Sequence, residues 1–430
     1  MKRFSKQFEI ENIDEFKQKV LQFSQQFREV IYLESNNYKD KYSTFDAVFA
    51  FDAFTSLQTD AFNGFEKLKE YQTDSNDWLF GYLTYDLKND VEDISSSNFD
   101  GLEFPELFFF QPKKIITIKD NCVEFNYLNF CNDELDSDFK EINEITLSDD
   151  LSNNQIQIKE RISKESYLSK VEKVKEHIQR GDIYEANFCM EFFAEDVTIN
   201  PTEIFENLNA ISHPPFASFL KNNQHFMMSA SPERYIKKVG AKVVSQPIKG
   251  TAKRGETEEQ DSLNIENLRT NPKERSENIM IVDLVRNDLS KTATKGSVEV
   301  EELCQIYTFE QVHQMISTII SEVPEKINPI DVLRTTFPMG SMTGAPKLSA
   351  MQIIEKLEET KRGLYSGAVG YFTPNNDFDF NVVIRSILYN KLNKYVSFSV
   401  GSAITSEAIP ENEYQECILK AKAMKKVLNL

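Results

Sequence analysis

The sequence predicts a soluble protein of mixed α and β structure, and two observations carry that prediction. Short apolar runs of strand length occur in the first third of the chain, and strand-like and helix-like segments alternate through its second half. The chain has 430 residues, of which 40% are hydrophobic and 33 are phenylalanine. That length allows one large domain or two to three ordinary ones, with enough apolar side chains for a sizeable core.

Three apolar runs in the amino-terminal part predict buried strands, at 45–51, 78–83 and 107–110. Residues 132–160 are acidic and polar, which is typical of a connector. We therefore divide the chain into an amino-terminal segment, 1–150, and a carboxy-terminal segment, 151–430.

The second segment opens with a predicted helix, because apolar side chains recur at helical spacing from Tyr167 to Ile178 and Gly181 ends the run. The chain from Gly181 to Phe188 then turns into a predicted strand. Further helices are predicted at 262–269, 273–288, 345–359 and 411–428.

Composition excludes several classes of protein. The net charge is −19 and there is no long basic run, so nucleic acid is not expected as a partner. Five scattered cysteines without a CxxC pair indicate neither a disulfide framework nor a zinc site. No signal-peptide core opens the chain, and no apolar run approaches the ~20 residues of a membrane span. We expect a soluble cytoplasmic protein, in which an anionic substrate meets a local positive site or a divalent metal.

Lys249 is the most informative residue, because Pro247, Gly250 and Thr251 frame it at the end of a predicted strand. An amine held in such a turn becomes a nucleophile once burial or nearby positive charge lowers its pKa from ~10.4. The pentapeptide alone is equally compatible with a lysine that solvates a loop.

Four glutamates form two pairs at i, i+3 spacing, Glu274 with Glu277 and Glu413 with Glu416. On a helix each pair projects from one face, and two such helices facing each other would present several oxygens to a hard cation such as Mg²⁺. Solvated helix faces have the same spacing, so the pairs alone do not decide between the two interpretations.

Three further segments are candidates for chemistry. Glu233 lies in a Ser/Pro turn and would act as a general acid if burial raised its pKa, or would pair with Arg234 at the surface. Residues 340–347 resemble a phosphate-binding loop, but their glycine and lysine spacing does not match a P-loop. Helix-start amides beside these glycines can still bind a carboxylate. His313 stands alone in a segment of mixed polarity, where a structural role is more common.

Taken together, these segments resemble the chorismate-utilising enzyme family. The matching stretches follow the family's order, and they are SASPER (229–234), QPIKGT (246–251), ERSENIMIVDLVRNDL (274–289), FPMGSMTGAPK (337–347), YSGAVGYF (365–372), IRS (384–386) and EYQECILKAKAM (413–424). The amino-terminal pieces YLES (32–35), YSTFDAVFAFD (42–52) and FGYLTYDL (80–87) are similar to the family's first half, so the resemblance covers essentially the whole chain.

The resemblance implies an α+β fold, with a four-layer αββα core of two orthogonally packed antiparallel sheets flanked by helices. It implies that 151–430 is the chorismate-binding catalytic domain and that 1–150 is the family's amino-terminal segment. Within the family, members that form anthranilate or isochorismate carry a small residue before the glycine that matches Gly250. Members that aminate chorismate at C4 carry lysine at that position. Lys249 therefore implies the amination.

The family's roles transfer position by position. Lys249 matches the covalent nucleophile and Glu233 the general acid. Glu277 and Glu416 match the Mg²⁺ ligands, and Glu274 and Glu413 match their partners, which hold metal-bound water. The positions that line the chorismate site are matched by Thr251, His313, Ser341, Tyr365, Arg385, Gly401 and Lys420.

This chain departs from the family pattern at several positions. Gly401-Ser402-Ala403 stands where the family usually reads G-x-G. Position 185 is glutamate, where this branch more often has glutamine and the water-adding members have lysine. Leu33-Glu34-Ser35 resembles a tryptophan-binding element of the amino-terminal half.

The sequence has no cysteine-centred glutaminase motif such as G-x-C-x-G. Ammonia is therefore expected from a separate glutamine amidotransferase subunit. The alternatives are anthranilate or isochorismate/salicylate synthesis, which Lys249 and Glu185 disfavour, and a catalytically silent binding or regulatory protein of the same fold, which the intact glutamates disfavour. A nucleotide-dependent transferase is disfavoured by the failed P-loop spacing.

Overall fold

The structure is a computed structural model that describes residues 2–147 and 156–429. Its strands, in chain order, are β1 Arg3–Glu9, β2 Glu29–Glu34, β3 Ala47–Thr59, β4 Leu79–Leu83, β5 Leu107–Lys119, β6 Cys122–Leu128, β7 Lys159–Glu160, β8 Glu185–Ala194, β9 Phe216–Asn222, β10 His225–Ser231, β11 Arg234–Val239, β12 Lys242–Ser245, β13 Ile248–Lys253, β14 Glu299–Thr308, β15 Val312–Glu322, β16 Gly344–Ala345, β17 Ala368–Phe372, β18 Phe378–Val382, β19 Ser386–Asn390 and β20 Tyr395–Ile404.

The α-helices are α1 Ile13–Ser24, α2 Gly64–Ser75, α3 Leu135–Glu144, α4 Lys164–Arg180, α5 Pro201–Ser212, α6 Glu258–Thr270, α7 Pro272–Ser290, α8 Pro329–Thr336, α9 Lys347–Leu357 and α10 Pro410–Val427. Short 3₁₀ turns span Tyr85–Asp90, Asn129–Glu134 and Gly340–Met342.

The predicted elements are confirmed, and β3 and β5 are longer than the apolar runs alone indicated. The runs at 45–51, 78–83 and 107–110 correspond to β3, β4 and β5. The predicted helix of the second segment is α4, which ends at Gly181 in the left-handed conformation with φ 84°. The four remaining helix predictions correspond to α6, α7, α9 and α10.

The connector prediction for 132–160 is wrong in its first part. Helix α3 lies there, and it buries Leu135 and Ile142 against the amino-terminal core, which its acidic exposed face conceals in the sequence. Residues 148–155 lie outside the described residues. The proposed division at 150 stays a prediction, and β2 of the first segment pairs along its whole length with β9 of the second.

All strand pairings among the named strands are antiparallel. The long strands β3 and β5 pair on both sides of a register shift between Ala53 and Thr55. One half of this pair adjoins β2 and β6, and the other half adjoins β4. Strands that bend in this way carry a sheet around a corner onto a second face-packed sheet.

Three buried clusters show the layers. The cluster between the sheets consists mostly of strand side chains, such as Phe80, Phe110 and Leu388, so sheet packs on sheet there. The second cluster packs α1, α4 and α10 against one sheet, and the third packs α2, α7 and α8 against the other. The layer order is helix, sheet, sheet, helix, which confirms the α+β class.

Candidate active site

Lys249 lies near the start of β13, whereas the sequence predicted it at the end of a strand. Strands β12 and β13 both pair with β15, and Pro247 separates them because it cannot donate to the ladder. The pairing with β15 shifts register between Ile248 and Thr251, so Lys249 and Gly250 form an irregularity in the strand.

Gly250 is required at this irregularity. Its φ is +92°, a conformation that side chains with a Cβ rarely adopt. A Cβ there would also lie 3.0 Å from Glu274 Oε2, so the absent side chain lets α7 approach the strand that carries Lys249.

Lys249 forms a buried ion pair with Glu185. The distance from Nζ to Glu185 Oε1 is 2.7 Å, and the two side chains expose 11% and 1% of their surface. Glu185 opens β8, and Ala345 of β16 pairs with it. At the neighbouring Gly344 a Cβ would clash with the Glu185 carbonyl oxygen, so a glycine permits the close approach that fixes Glu185.

The charge state of Lys249 differs from the sequence prediction. Burial by itself lowers the pKa of Lys249, but the carboxylates of Glu185, Glu277 and Glu233 outweigh burial and hold that pKa above its ordinary value. The expectation that the pKa of Lys249 is lowered is therefore wrong. The resting lysine is an ammonium ion that must lose a proton before it can attack.

Glu233 is buried, with 3% of its surface exposed, and burial raises its pKa to about 7. The hydroxyl of Ser341, the charge of Lys249 and the backbone amide of Ile248 oppose that rise. The alternative of a surface pair with Arg234 is wrong, because Arg234 pairs with Asp40 and Asp379 instead. A carboxyl group with this pKa suits a general acid near neutral pH.

The four paired glutamates lie on α7 and α10, as predicted. Glu277 and Glu413 are buried, Glu274 is half-buried, and Glu416 exposes 43% of its side chain. Lys273 joins the two helices, with its Nζ 3.1 Å from Glu413 Oε1 and 3.8 Å from Glu277 Oε1. The solvated-face interpretation therefore fails for Glu277 and Glu413, the buried member of each pair.

The donor set fits Mg²⁺ on one observation. Glu277 Oε1 and Glu413 Oε2 are buried without a hydrogen-bond partner, which is costly for carboxylate oxygens unless a cation or water satisfies them. Among residues 2–147 and 156–429, no three His, Cys, Asp or Glu side chains converge as a ready-made metal cluster. Mg²⁺ typically takes only one or two protein carboxylates and keeps several waters, so the two observations are compatible.

Two cations of the site differ in how they are satisfied. Lys420 Nζ lies 2.6 Å from Glu416 Oε1 and donates to the carbonyl oxygen of Gly401 at 2.8 Å. The Arg385 side chain makes no hydrogen bond or ion pair with any described residue, and burial lowers its pKa while Tyr365 and Glu416 raise it. A guanidinium with unused donors in a largely buried position is suited to bind an anion.

The remaining predicted binding residues are distributed unevenly. Ser341 is buried beside Glu233, and Tyr365 is buried with its hydroxyl 3.9 Å from Cys189 Sγ. Thr251 is exposed, and no hydrogen bond of its hydroxyl is seen among the described residues. His313 is fully buried, but it is already engaged at both ring nitrogens, which is typical of a structural histidine.

The contacts of His313 are with Thr308 Oγ1, 2.9 Å from Nδ1, and with Asp261 Oδ1, 2.8 Å from Nε2. That His313 contacts the substrate ring stays a prediction. One of its two hydrogen bonds would have to break before an imidazole nitrogen could bind a ligand.

Gly401 lies in β20 against β8, where a Cβ would approach Cys189 Sγ to 2.6 Å. The φ of Ala403 is not positive, and the residue pairs regularly with Asn187 of β8. An alanine therefore fits where the family usually has its second glycine.

Residues 340–347 contain the short 3₁₀ turn Gly340–Met342 and strand β16, and Lys347 begins α9. Lys347 forms an ion pair with Asp288 and donates to the carbonyl oxygen of Thr336 at 3.1 Å, so it supports α7 from below.

A separate cavity of about 380 Å³ is lined by Leu33, Glu34, Ser35 and Arg234, among other residues. The element that resembles a tryptophan site thus borders a cavity, and its ligand stays a prediction. Neither Lys249 nor Glu233 lines that cavity.

The family model described as chorismate binding enzyme matches residues 28–426 of this chain. The chain belongs to the chorismate binding enzyme family. In this fold Lys249 interacts electrostatically with Glu233, Glu277 and Glu416, although these residues are spread along the chain from residue 233 to residue 416.

Relatives in the family carry two different activities in their names. Aminodeoxychorismate synthase component 1 of Bacillus subtilis is 31% identical over 388 residues, which cover 86% of this chain and 82% of that protein. Anthranilate synthase component 1 of Aquifex aeolicus is 36% identical over 268 residues, which cover 62% of this chain and 54% of that protein.

Among solved structures, anthranilate synthase component I of Streptococcus pneumoniae superposes with a TM-score of 0.76 at 25% identity, covering 90% of this chain and 95% of that one. This chain therefore shares its fold with that anthranilate synthase component I.

Sequence reasoning missed the role of two residues in this site. It named Glu185 as a departure from the family that disfavours anthranilate and isochorismate synthesis, but not as a contact of Lys249. It also overlooked Lys273, whose position four residues before Glu277 was the available signal.

Proposed function

We propose that this chain converts chorismate and ammonia to 4-amino-4-deoxychorismate, through a covalent intermediate on Lys249. The observation that carries the proposal is the presence, in one buried site, of a lysine where related synthases carry a small residue and of a carboxyl group, Glu233, with a pKa of about 7. The two groups interact electrostatically, which supports their acting on one ligand.

In the proposed reaction, the lone pair of neutral Lys249 forms a bond to C2 of the chorismate ring. The ring double bonds shift, the C4–O bond breaks, and Glu233 donates its proton to the departing hydroxyl, which leaves as water. Ammonia then bonds to C4, the double bonds return, and Lys249 departs. Two such steps replace one difficult direct displacement.

The substrate's carboxylates would be held by the cations of the site. Arg385 has free donors for a carboxylate, and Lys420 adds positive charge beside Glu416. Glu277 and Glu416 would hold Mg²⁺, with Glu274 and Glu413 around its waters, and the bound metal would supply positive charge for a substrate carboxylate.

Ammonia is proposed to come from a glutamine amidotransferase subunit in the cytoplasm, and the product would serve p-aminobenzoate and folate synthesis. The name component 1 of the Bacillus subtilis relative supports a second component. Within the described residues, no helix combines the length and apolar character that crossing a bilayer requires.

The test is product analysis from chorismate, Mg²⁺ and an ammonium salt. We expect 4-amino-4-deoxychorismate from the wild-type chain, an adduct on Lys249 detectable by intact-protein mass spectrometry, and neither from Lys249→Ala. Anthranilate or isochorismate as the main product, or full activity of Lys249→Ala, would contradict the proposal.

The nitrogen source has its own test. Glutamine labelled with ¹⁵N at the amide should label the product only after an amidotransferase subunit is added. Efficient labelling by the isolated chain would contradict the two-subunit arrangement.

A further inference from the structure

The proposed reaction requires a neutral amine at Lys249, but the structure holds this residue as an ammonium ion among carboxylates. A proton must therefore leave Nζ before the bond to the ring can form. Water is a poor acceptor for that proton at neutral pH, because the carboxylates stabilise the charged amine. The site needs a base in contact with Nζ, and the following inference rests on the proposed function.

Glu185 is the only described carboxylate within 4.0 Å of Lys249 Nζ. Its Oε1 accepts the lysine hydrogen bond at 2.7 Å, and its Oε2 is buried without any partner. No other described donor bonds to this carboxylate. A carboxylate that contacts Nζ directly and has its second oxygen uncommitted is placed to take the lysine proton.

The contacts of the neighbouring charged groups favour Glu185 over the other carboxylates as the group that takes the lysine proton. Glu233 faces Lys249 from the turn before β11, and Glu277 faces it from α7, but neither forms an ion pair with Nζ. Lys420 on α10 forms its ion pair with Glu416. Glu233 is needed in its protonated form as the acid, so it cannot also take the lysine proton.

We propose that Glu185 is the proton acceptor that makes Lys249 a nucleophile. One N–H bond of the ammonium breaks and an O–H bond forms on Glu185, which leaves a lone pair on Nζ for attack at C2. When ammonia displaces the lysine, neutral Nζ recovers that proton from Glu185. The water released from C4 carries the proton that Glu233 donated. The new amine forms as an ammonium group and gives one proton to the Glu233 carboxylate, so both glutamates return to their starting states.

Glutamine and lysine cannot perform this step at neutral pH. An amide at position 185 would bond to Lys249 without accepting its proton, and a second ammonium would repel it. The glutamate of this chain can thus accept a proton from Lys249, at a position where the related branch more often has glutamine.

The experiment compares wild type with Glu185→Gln, which keeps the shape and removes the base. Single-turnover formation of the Lys249 adduct is followed by quenched-flow mass spectrometry across pH at saturating chorismate. We expect Glu185→Gln to slow adduct formation by about a hundredfold near neutral pH, the usual size of a general-base effect. The deficit should narrow as pH rises and solvent removes the proton, and KM should change little.

Glu191→Gln is the matched control, because Glu191 is also a buried carboxylate on β8 but pairs with Arg161 and Tyr395. We expect this variant to lose stability while its adduct rate keeps the wild-type pH profile. Circular dichroism and denaturant unfolding establish that Glu185→Gln is folded before its rate is interpreted.

Two outcomes would overturn the inference. If Glu185→Gln forms the adduct as fast as wild type with an unchanged pH profile, Glu185 takes no proton. If it is faster near neutral pH, Glu185 only restrains the lysine by its charge. Failure of the wild-type chain to form any Lys249 adduct contradicts the proposed function instead, so the two failures are distinguishable.

Discussion

Lys273 Nζ lies 3.1 Å from Glu413 Oε1, and this contact places an ammonium ion between the two helices that carry the paired glutamates. Glu413, Glu277 and Glu416 all raise the pKa of Lys273, although burial opposes them. A metal ion bound by these carboxylates would have to displace that ammonium. Lys273 therefore offsets part of the negative charge of these carboxylates.

Lys273→Met should tighten Mg²⁺ binding in the absence of substrate. The competing ion pair is half-exposed, so we expect a gain of about two- to fivefold in affinity, measured by calorimetry. Lys69→Met removes a comparably exposed ion pair, Lys69 with Asp331, and should leave the affinity unchanged. Weaker binding to Lys273→Met would show that Lys273 supports the site rather than competes for it.

Arg385→Met should weaken the hold on substrate without destabilising the protein. Because the guanidinium has no partner among the described residues, its removal costs the free protein no hydrogen bond. Loss of charged hydrogen bonds to a substrate carboxylate should raise KM for chorismate by roughly ten- to a hundredfold. An unchanged KM would exclude Arg385 from the binding site.

The control for that variant is Arg362→Met. The Arg362 guanidinium is buried and donates to Glu358, to the Met342 carbonyl at 2.6 Å and to the Asn187 carbonyl at 2.7 Å. Breaking this buried pair should lower the free energy of unfolding by about 3–5 kcal/mol, as denaturant titration would measure.

Gly250→Ala should reduce both stability and adduct formation. The left-handed backbone costs a residue with a Cβ about 1–2 kcal/mol, and the Cβ would also press on Glu274 and Leu268. Gly240 has φ +58° and no atom within 4 Å of the position that a Cβ would occupy, so Gly240→Ala carries the backbone cost alone. The difference between the two variants in unfolding free energy measures the contacts with Leu268 of α6 and Glu274 of α7, and equal losses would mean that these contacts are unimportant.

Glu233→Gln should stabilise the free protein at alkaline pH. The folded pKa of Glu233, about 7, lies above the ordinary carboxyl value, so the folded state retains a proton that the unfolded chain releases. Wild-type stability therefore falls as pH rises from about 4.5 towards 7, and the full cost is present above that range. The cost reaches at most roughly 3–4 kcal/mol, since a difference of one in pKa corresponds to about 1.4 kcal/mol.

The measurement for this prediction is denaturant unfolding of both proteins across pH. The advantage of Glu233→Gln should be small at acidic pH and should grow through the neutral range. A constant difference at all pH values would mean that Glu233 does not titrate there.

The sequence determined the local elements with strong periodicity. Helices α4, α7 and α10 and strands β3 to β5 follow from apolar spacing and from the residues that end them, such as Gly181. Short amphipathic helices such as α2 and α8 were not predicted, because their burial depends on a sheet that is assembled from distant strands.

The sequence also determined which residue types the site contains, through its ordered motifs. The structure places Lys249 in electrostatic contact with Glu233 and Glu277, which the motifs named together, and their catalytic roles stay a prediction. Motif order along the chain carries residue identity but no distance between side chains.

Only the tertiary structure decided the charges and contacts of these groups. The sign of the shift in the pKa of Lys249 was wrong from sequence, because it depends on β8 placing Glu185 at 2.7 Å from Nζ. The orphaned oxygens of Glu277 and Glu413 and the bridging Lys273 likewise arise where α7 meets α10. Ionisation depends on burial and on neighbours within a few ångströms, and segments far apart in the chain become such neighbours only through the fold.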